Sequence, residues 1–222
     1  MLKKMLYSSA LCLFVLATAG VAKADTLSFT LTQDGCTGGC GTGPYGTITL
    51  TDNGSNVDVT EQLASNYYFV NTGAGNPLEF NLSTPSTITN VQSAAYFEAG
   101  GAATASAFGS FTDSIQCIPE NRPTPSPCGN GSSKSLSNPQ SLTFTVDGVN
   151  VYDFIANSDK YFFAADVGEA GYNADNKWTI VATGNVGALG TTPPVIPEPP
   201  TLLLLGTGLA VLAGMMKLKA IA

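Results

Sequence analysis

Residues 47–60 read TITLTDNGSNVDVT, and this stretch decides the fold class. Apolar side chains alternate with hydroxyl or acidic ones through residues 47–51 and again through residues 57–60, which is the period of a β-strand. The loop between the two runs contains Asn53-Gly54, a pair that favours a tight turn. The stretch therefore predicts a β-hairpin.

Short alternating segments of the same kind recur along the chain, whereas helical periodicity is almost absent before residue 200. Turn residues separate the segments at close intervals. About ten short strands at this spacing indicate an all-β domain. We expect a two-sheet β-sandwich or jelly roll over residues 25–190. Its further predicted strands cover residues 27–31, 67–71, 78–82, 86–91, 107–111, 142–147, 151–155, 161–167 and 177–183.

Residues 1–24 are typical of a secretory signal peptide. A positively charged start precedes an apolar stretch over residues 6–21. Ala22 and Ala24 then fit the small-x-small cleavage pattern, which makes Asp25 the first residue of the exported protein. The alternative is an uncleaved N-terminal anchor, for which the apolar stretch is short.

Charge narrows the choice of partners. The chain carries 16 acidic and 9 basic residues, which gives a formal net charge of −7. Between residues 25 and 196 the only basic residues are Arg122, Lys134, Lys160 and Lys177. We therefore exclude nucleic acid as a partner, because its phosphates need a basic surface. An acidic surface favours solubility and permits binding of divalent cations.

The chain has no histidine, which excludes Ser-His-Asp and Cys-His catalysis and the common His-containing zinc sites. Glu61, Glu79 and Glu98 are formally available as a carboxyl pair for glycoside hydrolysis. That reaction needs two carboxyl groups about 5–10 Å apart, and nothing in the sequence places any two of them together. We expect no enzyme activity and no cofactor.

Cysteine usage predicts two disulfides. Loss of Cys12 with the signal peptide leaves an even number in an oxidising compartment: Cys36, Cys40, Cys117 and Cys128. Four cysteines allow three connectivities, and proximity in the sequence favours Cys36–Cys40 with Cys117–Cys128. The alternative is a metal site made of all four thiolates, but the spacing of the cysteines along the sequence does not match that of common zinc sites.

Acidic residues near predicted turns are candidates for cation binding, because Ca²⁺ takes several oxygen ligands from loops. One such set consists of Asp166, Glu169 and Asp175, and a second lies around the turn at residues 52–58. Neither set follows the EF-hand spacing, and Asp and Asn are also ordinary turn residues. The sequence therefore offers ligands without assigning a metal site.

Aromatic residues are candidates for stacking on sugar rings. We expect Tyr45, Tyr96 and Tyr172 to be exposed, because glycines and other small residues surround them. Trp178 lies in an apolar strand and is expected in the core. The three threonines of residues 47–51 project from one strand face, which suits an ice-binding surface or, more simply, a solvated face with good β propensity.

The C-terminal region has the composition of a membrane span. Residues 201–216 carry no charge and are rich in leucine, and Lys217 and Lys219 follow them. Sixteen helical residues span about 24 Å, slightly less than a bilayer core of about 30 Å. The lysines hold the C-terminus in the cytoplasm. A Pro-containing linker at residues 191–196 joins this region to the domain.

The order of features in residues 197–222 resembles the PEP-CTERM sorting signal of Gram-negative bacteria. The match consists of the motif Pro197, Glu198 and Pro199, the apolar helix and the basic end at residues 217–219. The basic end is Lys-Leu-Lys, where an Arg-rich end is usual. In that family an exosortase, an integral-membrane transpeptidase-like enzyme, is thought to recognise the motif and process the tail. Its members commonly accompany exopolysaccharide and biofilm genes.

This resemblance implies an exported cell-surface or extracellular-matrix protein with a structural or adhesive role and a β-rich body. The implied partners are an exosortase, the inner membrane through the C-terminal helix, and extracellular polysaccharide. We expect a monomer that passes the periplasmic side of the inner membrane on its way to the cell surface or matrix. The alternatives are an ordinary anchor that is never cut and a carbohydrate- or Ca²⁺-dependent binding module.

Overall fold

The computed structural model describes residues 24–72, 75–92, 95–118, 128–129, 131 and 133–190. The predicted signal peptide up to residue 23, the linker at residues 191–196 and the sorting signal at residues 197–222 lie outside these ranges. In the part of the chain that is described, no helix has the length and apolar character needed to cross a membrane.

The described residues are all-β, which confirms the predicted class. They form two short 3₁₀ helices, η1 (Ser133–Ser137) and η2 (Val151–Asp153), and fifteen strands. In chain order the strands are β1 (Thr26–Leu31), β2 (Gln33–Asp34), β3 (Gly46–Asn53), β4 (Asn56–Leu63), β5 (Tyr67–Phe69), β6 (Leu78–Leu82), β7 (Thr87–Thr89), β8 (Phe97–Gly100), β9 (Ala103–Ala105), β10 (Gly109–Phe111), β11 (Asp113–Cys117), β12 (Ser141–Asp147), β13 (Phe154–Ile155), β14 (Tyr161–Tyr172) and β15 (Trp178–Leu189).

Strands β3 and β4 form the predicted hairpin. Their register runs from Gly46 opposite Leu63 to Asn53 opposite Asn56, so that a two-residue turn begins at Gly54. Gly54 has a φ of 70°, a conformation that glycine adopts without steric cost. The hairpin lies inside a five-stranded sheet of order β1-β3-β4-β12-β7, called here the first sheet.

The second sheet has eight strands. Six follow the order β2-β15-β14-β6-β11-β8, while β5 pairs with β14 and β13 pairs with β6. Strands β9 and β10 form a separate antiparallel hairpin. Among the described strands every pairing is antiparallel. Several neighbours, such as β4 with β12 and β6 with β14, are far apart in the sequence, so hairpins alone do not build either large sheet.

Side chains of the two large sheets share one hydrophobic core. Phe80 of β6 stacks on Phe144 of β12 with ring centroids 5.7 Å apart, and Phe29 of β1 meets Phe163 of β14 edge-on at 5.0 Å. Strands β3 and β4 alternate buried and more exposed positions, as the period of two requires. Strand β6 is buried along its whole length, so the second sheet is covered on both faces there.

Both predicted disulfides are present, and the predicted pairing is confirmed. Cys36 and Cys40 are bonded with a Cα–Cα separation of 5.5 Å, and Cys117 and Cys128 with one of 5.9 Å. The carboxylate of Asp34 accepts hydrogen bonds from the backbone N–H groups of Cys36 and Cys40, at 2.9 and 3.0 Å. Two disulfides are typical of a protein that folds in an oxidising compartment outside the cytoplasm.

The strand predicted over residues 151–155 is largely wrong. Residues Val151–Asp153 form a 3₁₀ helix, and only Phe154–Ile155 are extended. The side chain of Asn150 accepts a hydrogen bond from Tyr152 N, while the Asp153 carboxylate accepts one from Asn150 N. This reciprocal capping stabilises a helical turn against the extended conformation that the apolar residues favour.

Candidate functional site

The outer face of the second sheet is covered where the β9–β10 hairpin lies over it. Leu78 and Phe80 of β6 point into the shared core, so Glu79 between them points to the opposite face. There Phe108, which connects β9 to β10, belongs to a second buried apolar cluster with Ala164 of β14. Glu79 lies opposite Ala164 in the sheet and is consequently buried.

Two glycines allow this covering segment to approach the sheet. A Cβ atom on Gly187 of β15 would lie 2.9 Å from the ring of Phe108, and one on Gly35 would lie 2.5 Å from the Cβ of Ala107. Real Cβ atoms essentially never make contacts that short, so a side chain at either position would displace the covering segment. Gly35 and Gly187 therefore allow the hairpin to lie close enough to shield the polar face beneath it from solvent.

Asp166 of β14 is one of the acids on this face. Its carboxylate accepts hydrogen bonds from the backbone N–H of Thr72 at 2.6 Å and from the Thr72 hydroxyl at 3.0 Å. Its backbone N–H donates to the carbonyl of Asn76 at 2.8 Å. Burial raises the pKa of Asp166 to about 6, and the bonds from Thr72 oppose the rise.

Glu79 is the second acid, and it is only 1 % exposed. Its Oε1 accepts hydrogen bonds from the backbone and side-chain nitrogens of Asn76, at 3.1 and 3.4 Å. Its Oε2 is buried and has no hydrogen-bond partner among the described residues. Burial raises the pKa of Glu79 to about 7. The bonds from Asn76 lower it, and the neighbouring charge of Asp166 raises it further.

Asn185 and Gly75 complete the surroundings of these acids. Asn185 of β15 lies directly opposite Asp166, and its amide oxygen faces the backbone of Gly75. A Cβ on Gly75 would lie 2.8 Å from the Cβ of Asp166, so this backbone packs directly onto the acid. Together these groups form an acidic pocket, which consists of Thr72, Asn76, Glu79, Asp166 and Asn185.

An open groove of about 420 Å³ adjoins the acidic pocket. Thr72 and Asn185 belong to both, and Ser106 in the covering segment lines the groove between them. The side-chain amide of Asn185 donates to the Ser106 hydroxyl at 3.4 Å. The groove thus gives solvent a polar approach to residues that contact Asp166.

The structure separates the three residues predicted as calcium ligands. Asp166 lies in the acidic pocket. The carboxylate of Glu169 lies beside the disulfide-bonded loop, where a Cβ on Gly41 would come within 2.6 Å of its Oε1. Asp175 is exposed in the turn between β14 and β15. The sequence-based set omitted Glu79, which topology brings to Asp166 because β6 and β14 are neighbours in the sheet.

The three glutamates considered for hydrolysis also lie apart in the fold. Glu61 is buried in the first sheet, Glu79 is on the outer face of the second, and Glu98 is on β8. Glu98 accepts a hydrogen bond from the side chain of Gln116 at 2.9 Å. Glu61 thus lies in a different sheet from the other two, and β11 separates the strands that carry Glu79 and Glu98.

Two expectations about aromatic exposure are wrong. Tyr45 is only 2 % exposed, because its ring packs edge-on against Tyr67 at 5.2 Å and its hydroxyl donates to the carbonyl of Gly41. Trp178, expected in the core, is 44 % exposed. It lies where β14 and β15 extend past their other neighbours and pair only with each other.

The exposed aromatic residue opposite Trp178 is Tyr172, which is 68 % exposed as expected. Their rings form an edge-to-face pair with centroids 5.2 Å apart. The turn below them is ordered by Asn173, whose side chain accepts hydrogen bonds from the backbone N–H groups of Asp175 and Lys177. The aromatic tip, Tyr172 and Trp178, is therefore held on a structured hairpin.

Tyr96, which was also expected to be exposed, is half-buried.

Comparison with known proteins finds no relative of this chain. No protein-family model matches the chain, and neither a curated protein nor a solved structure matches it. The chain's own features that bear on function are the acidic pocket, the aromatic tip, the disulfides and the sequence of the C-terminal region.

Proposed function

We propose that this chain is an exported cell-surface or extracellular-matrix protein that an exosortase sorts through a PEP-CTERM tail. The observation that carries the proposal is the order of Pro197, Glu198 and Pro199, an uncharged run over residues 201–216, and the basic end at residues 217–219. Its role is structural or adhesive, in association with extracellular polysaccharide.

The described domain supports an extracytoplasmic role. Its two disulfides are of the kind that persists in oxidising compartments. We assign its two large antiparallel sheets, which share a core, to a two-sheet β-sandwich or jelly roll. Such a body resists unfolding outside the cell because covalent links reinforce a hydrophobic core.

The proposed route begins with removal of residues 1–24 and export of the domain as a monomer. Residues 201–216 then hold the protein in the inner membrane, with the domain on the periplasmic side. Processing by the exosortase releases the domain to the cell surface or matrix. Excess acidic charge keeps the released domain soluble.

Substitution of the motif tests the sorting step. Changing Pro197, Glu198 and Pro199 together to Ala is expected to abolish release and to accumulate unprocessed protein in the membrane fraction. The matched control changes Pro193 and Pro194 to Ala, which alters the adjoining linker and leaves the motif intact. Release that is equal in the motif variant and the control contradicts recognition by an exosortase.

A second function, carbohydrate binding, is favoured by the aromatic tip. Tyr172 and Trp178 present exposed faces of an edge-to-face pair at the end of a hairpin. Rigid aromatic rings bury a large area with little loss of conformational entropy when a ligand stacks on them. The bonds to Asn173 that order the turn preorganise this surface further.

Binding to glycans tests this second function. Trp178→Ala and Tyr172→Ala are each expected to reduce retention on polysaccharide from the protein's own host by at least about tenfold, the effect of losing one aromatic contact. Ile155→Ala, which removes an exposed apolar side chain elsewhere, serves as the control. Equal retention of all these variants would exclude the aromatic tip as a sugar-binding surface.

A further inference from the structure

The acidic pocket holds two buried acids without a compensating cation. Glu79 and Asp166 are each 1 % exposed and lie on neighbouring strands of the second sheet. Among the described residues, the charge that acts on Glu79 is that of Asp166, and no cationic side chain contributes. Two ionised carboxylates in such a place are strongly unfavourable unless a proton or a positive ion neutralises them.

An unused ligand atom marks where a positive ion could bind. Glu79 Oε2 is buried and has no hydrogen-bond partner among the described residues, although Oε1 of the same group accepts two bonds from Asn76. Buried polar atoms are nearly always paired, so an orphaned carboxylate oxygen indicates a missing partner. The Asn76 bonds hold Glu79 in place through Oε1 and leave Oε2 unpaired.

The other polar groups of the acidic pocket supply oxygen. Asp166 contributes a carboxylate whose bonds from Thr72 leave lone pairs free, and the amide oxygen of Asn185 faces the Gly75 backbone that packs onto Asp166. Oxygen-only sites suit hard cations such as Ca²⁺ and Mg²⁺. Ca²⁺ accepts irregular arrangements of protein oxygens, whereas Mg²⁺ demands near-ideal octahedral geometry and retains water.

We propose that the acidic pocket binds one divalent cation, with Ca²⁺ preferred to Mg²⁺, and that Glu79 and Asp166 are its anionic ligands. The ion enters from the adjoining groove, whose wall shares Thr72 and Asn185 with the pocket. By joining β6 to β14 and to the segment that carries Thr72 and Asn76, it fixes one wall of the groove. The inference is independent of the proposed sorting pathway.

The test uses the full chain, purified in detergent, stripped with a chelator and then titrated with CaCl₂ or MgCl₂. Equilibrium dialysis with radioactive calcium is expected to give one Ca²⁺ per chain. At a hundredfold excess over Kd, Ca²⁺ should raise the melting temperature by about 5–10 °C, and Mg²⁺ should raise it less.

Two variants locate the site. Glu79→Gln removes the charge while keeping an acceptor for Asn76, and it should lose at least about tenfold in Ca²⁺ affinity, as expected when a carboxylate ligand is removed. Asp175→Asn, at the exposed turn, should bind like the unchanged protein. Near-ultraviolet circular dichroism verifies that each variant is folded.

Absence of bound Ca²⁺ in the unchanged chain overturns the proposal, whatever the variants do. Undiminished binding by folded Glu79→Gln, or loss of binding by Asp175→Asn, also overturns it by placing the ion elsewhere. Because binding is measured on the whole chain, a protein that fails to be sorted can still show the site, so the two proposals fail separately.

Discussion

Glu61 of β4 lies directly opposite Leu142 of β12 in the first sheet. The alternation that buries Val57 and Val59 on β4 also carries the Glu61 side chain into the core, where it is fully buried. Neither of its carboxyl oxygens has a hydrogen-bond partner among the described residues. Burial raises the pKa of Glu61 well above its usual value, which favours the uncharged form of the carboxyl.

Replacement of this carboxyl by an apolar group is expected to stabilise the protein. Glu61→Met keeps an unbranched side chain and removes the unsatisfied polar atoms, which should increase the free energy of unfolding by about 1–3 kcal/mol. Urea denaturation at pH 7 measures the change. Thr60→Met, on the exposed face of the same strand, should stay within about 0.5 kcal/mol of the unchanged protein. A destabilising effect of Glu61→Met would contradict an unsatisfied carboxyl.

The raised pKa values of three buried acids predict that the protein is more stable in mild acid than at neutral pH. Burial raises the pKa values of Glu79 to about 7 and of Asp166 to about 6, and it raises that of Glu61 well above 4.5. The folded state therefore binds more protons than the unfolded state above about pH 4. This stabilising contribution is complete below the pKa values of the unfolded state. The part due to Asp166 and Glu79 is lost as pH rises through about 6 and about 7.

Thermal melts in the presence of a chelator measure whether stability falls or rises with pH. We expect the melting temperature to fall between pH 5 and pH 8, and the fall to be smaller in Glu79→Gln, which cannot ionise at that position. Asp175→Asn, in the exposed turn, should leave the slope unchanged. A melting temperature that rises over the same range would mean that the buried carboxyl groups are not the controlling ones.

Calcium and protons are expected to compete for the acidic pocket. Ca²⁺ binds the ionised forms of Glu79 and Asp166, so its affinity should fall as pH decreases from 8 to 5, the range in which both groups take up protons. Titration calorimetry at several pH values measures the affinity and the protons released. An affinity that is independent of pH would be inconsistent with these two ligands.

The two disulfides are expected to contribute unequally to stability. Chain-entropy arguments give about 3 kcal/mol for Cys117–Cys128, with a sequence separation of 11, and about 2 kcal/mol for Cys36–Cys40, with a separation of 4. Paired Cys→Ser variants, compared by urea denaturation, measure each contribution. A larger loss for the Cys36–Cys40 pair would show that Asp34, which orders that loop, matters more than loop length.

Local patterns predicted those parts of the fold that depend on neighbouring residues. The period of two in residues 47–60 and the Asn-Gly turn were sufficient for the β3–β4 hairpin. The exposure of Trp178 was not predictable, because its apolar neighbours are the same in a central strand and in a hairpin tip. Only the pairing of β14 and β15 beyond their other partners distinguishes the two cases.

The acidic pocket could not be predicted because it depends on contacts between distant segments. The alternation of Leu78, Glu79 and Phe80 is typical of a strand with one solvated face. The covering hairpin, β9–β10, consists largely of small residues, and only its second strand falls within a predicted one, residues 107–111. Glu79 meets Asp166 only because β6 pairs with β14, and no local spacing encodes that pairing.

We predict that both ends of the chain are processed and that the domain is released. Intact-protein mass spectrometry of material from the membrane and secreted fractions of its own host tests it most directly. We expect a secreted species that begins at Asp25 and ends near Pro197, with a mass about 4 Da below that of the reduced form because of two disulfides. A single species that still contains residues 201–222, found only in the membrane fraction, would contradict it.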